Sequence, residues 1–230
     1  MFSNKELRSM IITLFFEQLL VMLVEIVDTF VVSSCGEAAV SGVSLVNQFN
    51  TIFIYLFTAL ASGGAIVVSQ YIGNKDEKRT VLSSSQLLMF SIVFSIVLSI
   101  LVLIFNKQLL GLLFGKVESD VMKACVTYLR ISAYSYPALA IYNAGAALYR
   151  SMAKTKVTMY ISFAANIINV VGNIIGVYVL KAGVAGVAYP SLISRVFSAI
   201  IITVLCFNKK LEAYYDLKDI FRFDGKMLKR

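Results

Sequence analysis

The chain has 230 residues, 59% of them hydrophobic and only 15% charged, with a formal net charge of +8 and no His or Trp; its mean hydropathy is +0.81. A soluble domain has about a quarter charged residues and less than half apolar ones, so an ordinary soluble enzyme, a disordered chain and a secreted disulfide scaffold are excluded. Such a chain needs a bilayer as solvent, and its length fits about six spans of 20–25 residues with short loops.

Six spans follow in order. The first, about 10–33, is the only one rich in acids, with Glu17, Glu25 and Asp28. It is too long, and followed by too much further membrane sequence, to be a cleaved leader. The second, about 45–71, lies within the stretch Ala38–Asn74, which carries no formal charge. The third is about 84–105, the fourth 122–149, the fifth 157–180 and the sixth 184–208. Continuous runs of about 20 apolar residues satisfy their backbone groups in lipid only as helices, and the ten-residue alternation of a β-barrel is not seen. The predicted fold class is all-α, a polytopic six-helix membrane lobe over residues 1–208. The basic segment 209–230 follows, mixing its charges with Leu211, Tyr214, Tyr215, Leu217, Ile220, Phe221 and Phe223. That composition suits an interfacial cytoplasmic segment on anionic lipid.

The basic residues set the orientation. With a cytoplasmic N-terminus, the inner segments hold Lys5 and Arg8, then Lys75, Lys78 and Arg79, then Arg150, Lys154 and Lys156, then seven in the tail. The outer segments hold Lys107, Lys116, Lys123 and Lys181, and only Arg130 and Arg195 lie within spans. Fifteen basic residues inside against four outside is a strong positive-inside bias, so both termini are expected to be cytoplasmic. Because the basic residues flank apolar runs, they point to membrane orientation and not to nucleic acid.

The inventory removes several chemistries. Without His there is no His-based zinc site, Ser-His-Asp triad or haem ligand. Cys35, Cys125 and Cys206 are far apart; they match no CxxC spacing and read as small apolar residues. No phosphate-cradling glycine string occurs. Neither an enzyme nor a resident cofactor is expected.

Polar groups inside spans are costly and usually functional. At 100° per residue, Asp28 lies about 20° from Glu17 and about 60° from Glu25, so the three share a sector of roughly 80°. A shared sector suggests a polar interior, where a carboxyl can exchange a proton or hold a cation. Asn47, Gln48 and Asn50 open the second span, and Asn166, Asn169 and Asn173 punctuate the fifth. Asn169 and Asn173 are four apart and stack on one face. Each amide serves equally well as interhelical glue or in a cation or proton cluster. With Glu17, Gln18, Tyr142 and Asn143, the residues Asn47, Gln48 and Asn50 are candidates to line a cavity for substrate. Gly172 and Gly176 form a GxxxG, and Ala61, Gly63, Gly64 and Ala65 are small in the same way. Pro137 and Pro190 sit inside the fourth and sixth spans, where each can bend its helix.

Taken together, the strings resemble the multidrug and toxic compound extrusion (MATE) family. These are Phe16-Glu17-Gln18-Leu19-Leu20 through Val27-Asp28-Thr29-Phe30-Val31-Val32, Gly36-Glu37-Ala38-Ala39-Val40, and Ser44-Leu45-Val46-Asn47-Gln48. Others are Gly64-Ala65-Ile66-Val67-Val68-Ser69-Gln70-Tyr71-Ile72-Gly73-Asn74-Lys75-Asp76, Leu148-Tyr149-Arg150-Ser151-Met152 and Gly183-Val184-Ala185-Gly186-Val187-Ala188. The resemblance implies a secondary antiporter that exports drugs or toxic organic cations in exchange for Na+ or H+ by alternating access. It implies a multi-pass protein of a bacterial-type plasma membrane, whose partners are the bilayer and a cationic or amphipathic small molecule. It implies that Asp28 is the ion-coupling carboxylate, a Na+ site if Na+ is the ion, assisted by Asn169, Asn173 and Ser191. Asn173 stands where well-studied members carry a second carboxylate, and Glu25, one turn before Asp28, is the candidate to compensate.

Because the family typically has twelve helices in two lobes, the resemblance also implies that this is the amino-terminal lobe. Its tail would be the inter-lobe linker, and a second six-helix lobe would lie in the same chain or in a homodimer. The alternatives are a lipid-linked saccharide flippase of the same superfamily, with Arg130 and Arg195 as its only candidate phosphate-meeting cations, and a lobe without transport activity of its own.

Overall fold

The computed structural model describes residues 4–115 and 117–220, apart from the side chains of residues 4–7 and 9. Lys116, the side chain of Lys5 and the end of the basic tail, including Phe221 and Phe223, lie outside the described residues. Six long helices cover nearly all of the rest: α1 (Asn4–Ser33), α2 (Glu37–Gly73), α3 (Glu77–Phe114), α4 (Ser119–Ser151), α5 (Thr155–Ile174) and α6 (Ala185–Cys206). A π-helical turn, Ile175–Val179, continues α5, and a short helix, α7 (Leu217–Ile220), follows α6. No strand occurs among the described residues, and the expected all-helical class stands.

α2 and α3 run well beyond their predicted apolar stretches. Asp76 caps α3, its side chain accepting from the Arg79 backbone N–H at 3.1 Å, which satisfies a donor left open at the first turn. The α1–α2 connection is only three residues long, and Gly36 turns it at φ 100°, a conformation that penalises any residue with a Cβ.

Five helical segments are long and apolar enough to cross a membrane: Met10–Ser33, Glu37–Gly73, Glu77–Phe114, Thr155–Val179 and Ala185–Cys206. The predicted fourth span does not meet that measure, although α4 is present and long. The reason is its position. It packs against α2, α3 and α6, and the whole run Asn143–Tyr149 is buried. A helix surrounded by helices can carry small and polar residues where a lipid-facing one needs bulky apolar ones.

The GxxxG of α5 packs closely, and its partner is α6. A Cβ on Gly172 would come within 2.7 Å of Pro190, and one on Gly176 would collide with the backbone of Gly186. Gly63, by contrast, faces open space and plays no such part, whereas Ala61 and Ala65 pack on Ala147. α4 and α6 both run on through Pro137 and Pro190; the backbone leaves helical geometry instead inside α3, at Phe105.

Two apolar clusters hold the bundle. One gathers Phe49, Phe53, Phe57 and Tyr136 with Val31, Val32 and Leu129, and Phe53 stacks on Tyr136 at 4.7 Å between centroids. The other gathers Leu148, Tyr149, Met152, Ile202 and Cys206 with Ala213 and Tyr215. The segment after α6 is therefore tied to the lobe. The Tyr215 N–H donates to the Cys206 carbonyl at 2.8 Å, the Asp216 N–H donates to Ser85 Oγ at 2.9 Å, and the Tyr215 side chain is 1% exposed.

Candidate functional site: the α1–α5–α6 polar chain

The three acids of α1 share a sector but not an environment. Asp28 is half-buried against α5, Glu25 is exposed, and Glu17 is 8% exposed. Glu25, rotated about 60° from Asp28, lies outside the hydrogen-bonded chain described below but acts electrostatically on Asp28.

That cluster is a hydrogen-bonded chain across three helices. The Asn173 amide donates to Asp28 Oδ1 and also to Asn169 Oδ1 at 3.0 Å. Asn169 Nδ2 donates to Ser191 Oγ at 2.9 Å, and the Ser191 hydroxyl donates to the Val187 carbonyl at 3.1 Å. The spacing of four on α5 puts both amides on the face that meets α1 and α6. Asn173 spends both of its amide protons inside the chain, one on Asp28 and one on Asn169, which fixes its orientation. One acceptor is left over: Asn173 Oδ1 is buried with no hydrogen-bond partner. With the Asp28 carboxylate beside it, the site offers oxygen ligands to a cation or a place for a proton.

Two neighbours were not apparent as members from sequence. Tyr128 of α4 lies beside Asn47 and Ser191, which brings α4 and α2 up to the chain. Arg195 lies one turn beyond Ser191 on α6, acts electrostatically on Asp28 and donates from Nη1 to Ser135 Oγ at 2.7 Å. The i,i+4 spacing of Ser191 and Arg195 is the signal that could have found it. Among the described residues the ion pairs are Asp76–Arg79 and Asp120–Lys123, both at the surface, so Asp28 and Arg195 share a field without forming a pair.

The predicted cavity residues differ in burial and in partners. Gln18 and Gln48 are exposed and Asn47 is half-buried. Asn50 lies buried between α2 and α4, donating to Ser132 Oγ at 3.2 Å and accepting from the Tyr136 hydroxyl at 2.7 Å. Asn143 is buried with its Nδ2 unpartnered. Glu17 meets Tyr142 and Thr158 well away from Asp28.

With that geometry in place, the relatives are informative. Residues 13–175 match the MatE family, and the chain belongs to it. It is 25% identical over 221 residues to the uncharacterized transporter YisQ of Bacillus subtilis (strain 168), covering 94% of this chain and 48% of that one. It is 26% identical over 186 residues to the probable multidrug resistance protein YoeA of the same organism, covering 77% and 39%. It is 25% identical over 203 residues to multidrug and toxin extrusion protein 2 of Mus musculus, covering 87% and 35%. Among solved structures, MATE in the bent conformation superimposes with a TM-score of 0.89 at 21% identity, over 98% of this chain and 50% of that one. An inward-facing MATE family transporter of the MOP superfamily gives 0.83 at 22% identity, over 90% and 47%. The chain thus spans about half the length of the curated relatives it matches, or less, and has the fold of one lobe of a multi-pass membrane transporter. These relatives do not favour the saccharide flippase.

Proposed function

We propose that this chain is a lobe of a secondary exporter that moves cationic or amphipathic drugs across the plasma membrane in exchange for Na+ or H+. Asp28 is the coupling carboxylate, and Asn173, Asn169 and Ser191 orient it and relay its state to α5 and α6. The observation that carries this reading is the hydrogen-bonded chain from Asp28 to Ser191. A half-buried carboxylate tied to two other helices gives them different partners when it is ionised, protonated or cation-bound, which is what alternating access requires of a coupling group. Export needs a second lobe across the cleft, in the same polypeptide or in a second copy, with both ends of this lobe cytoplasmic. Kinship with a probable multidrug resistance protein and with a multidrug and toxin extrusion protein supports the drug class. The test is efflux of a fluorescent cationic dye from cells expressing the complete transporter. Asp28→Asn is expected to abolish it, and intact efflux in that variant across pH and Na+ concentrations would remove Asp28 from the mechanism.

A further inference from the structure

Glu17 has no part in the Asp28 chain, yet it is the most deeply buried of the described acids of α1, at 8% exposed. Eleven residues separate it from Asp28, about 16 Å along the helix axis. Around it stand Tyr142 of α4 and Thr158 of α5. The Tyr142 hydroxyl oxygen is 3.3 Å from Glu17 Oε1 and 3.4 Å from the Thr158 carbonyl. Thr158 Oγ1 is 3.3 Å from Glu17 Oε2.

These separations are wide for the hydrogen bonds that an ionised carboxylate draws from hydroxyls, which run about 2.5–2.7 Å. The protons are also claimed elsewhere. Thr158 has one, and the Thr155 carbonyl is nearer to it, at 2.8 Å. Tyr142 has one, with two acceptors at nearly equal distance. Among the described residues no basic side chain forms an ion pair with Glu17. Arg150, two turns further along α4, acts electrostatically on Tyr142 but forms no ion pair with the acid. A carboxylate inside a span needs a proton or a cation.

The same distances fit ligands on adjacent vertices of a cation's coordination shell. With oxygens about 2.4 Å from the ion, right-angle neighbours stand ~3.4 Å apart, whereas the shorter bonds of Mg2+ put them at ~2.9 Å. A single carboxylate among neutral oxygens balances one positive charge. We propose that Glu17, Tyr142 and Thr158 form a second cation site of Na+ size, built entirely from oxygen and held between α1, α4 and α5. Its ligands are both Glu17 oxygens, the Tyr142 hydroxyl, and the Thr158 carbonyl and hydroxyl. The site stands independently of the role given to Asp28.

The test is equilibrium binding of radioactive Na+ to the purified chain in detergent, with choline as the balancing cation. In an Asp28→Asn background a saturable Na+ site is expected to remain. Adding Glu17→Gln removes it, and adding Tyr142→Phe instead weakens it roughly tenfold, with helicity by circular dichroism unchanged. If Glu17→Gln fails to fold, Tyr142→Phe and Thr158→Val decide. No Na+ binding in Asp28→Asn, or binding indifferent to Glu17, Tyr142 and Thr158, overturns the site. Neither outcome bears on the efflux test of Asp28.

Discussion

Asn173 on α5 holds Asp28 on α1 through its side-chain amide, and the same nitrogen holds Asn169 one turn back on its own helix. One wholly buried side chain thus joins the acid to α5 and, through Asn169 and Ser191, to α6. Asn173→Ala leaves the Asp28 carboxylate and the Asn169 carbonyl without their donor, and an orphaned buried polar group costs about 1–3 kcal/mol. The expected outcome is a lower melting temperature in detergent together with loss of efflux. Asn173→Asp places a second negative charge beside Asp28 and is expected to bind Na+ more tightly than wild type in an equilibrium assay.

Arg195 tests the electrostatics from the other side. Its charge acts on Asp28 without an ion pair, so it competes with any cation that approaches the carboxylate. Arg195→Gln keeps a donor for Ser135 Oγ and removes the charge. Na+ affinity measured in the Glu17→Gln background, where only the Asp28 site remains, is expected to rise severalfold.

The α5–α6 crossing makes a prediction about packing. A Cβ on Gly176 runs into the Gly186 backbone, which cannot swing aside as a flexible side chain can. Overpacking of this kind costs about 1–3 kcal/mol. Gly176→Ala is expected to lower the melting temperature, whereas Gly63→Ala, whose added methyl meets nothing within 4 Å, leaves it unchanged or higher.

Tyr215 tests whether the segment after α6 belongs to the lobe. Truncating a buried aromatic costs about 3–5 kcal/mol. Tyr215→Ala is expected to lower stability and expose the 207–220 segment to limited proteolysis. Tyr215→Phe retains the ring in the cluster and is expected to behave as wild type, as is Leu217→Ser, since Leu217 is 64% exposed.

How much of this was legible in the sequence depends on what each helix touches. Apolar runs located all six long helices, five of them with the uniform apolar composition that lipid demands along a whole helix. α4 escaped the composition measure because helices, not lipid, surround it. Helical periodicity put Glu17, Glu25 and Asp28 in one sector, but a sector is wider than a contact. About 60° of rotation left Glu25 exposed, in the field of Asp28 but outside its hydrogen-bonded chain, and axial position separated Glu17 from Asp28. Resemblance brought Asn169, Asn173 and Ser191 to Asp28, and the structure joins all four. Thr158 and Tyr128 carried no signal, since a Thr or Tyr in a span is common and only the neighbouring helix gives it a partner. For Gln18, Gln48 and Asn50, polarity alone could not distinguish an outward face from a buried bridge between α2 and α4.

The most direct measurement is gradient-driven dye accumulation in proteoliposomes holding the complete transporter, under an imposed Na+ or pH gradient, compared with Asp28→Asn. The expected result is accumulation that follows one of the two gradients in wild type and is lost in Asp28→Asn, while dye binding persists. Gradient-driven accumulation at the wild-type rate in Asp28→Asn would contradict the assignment of Asp28 as the coupling group.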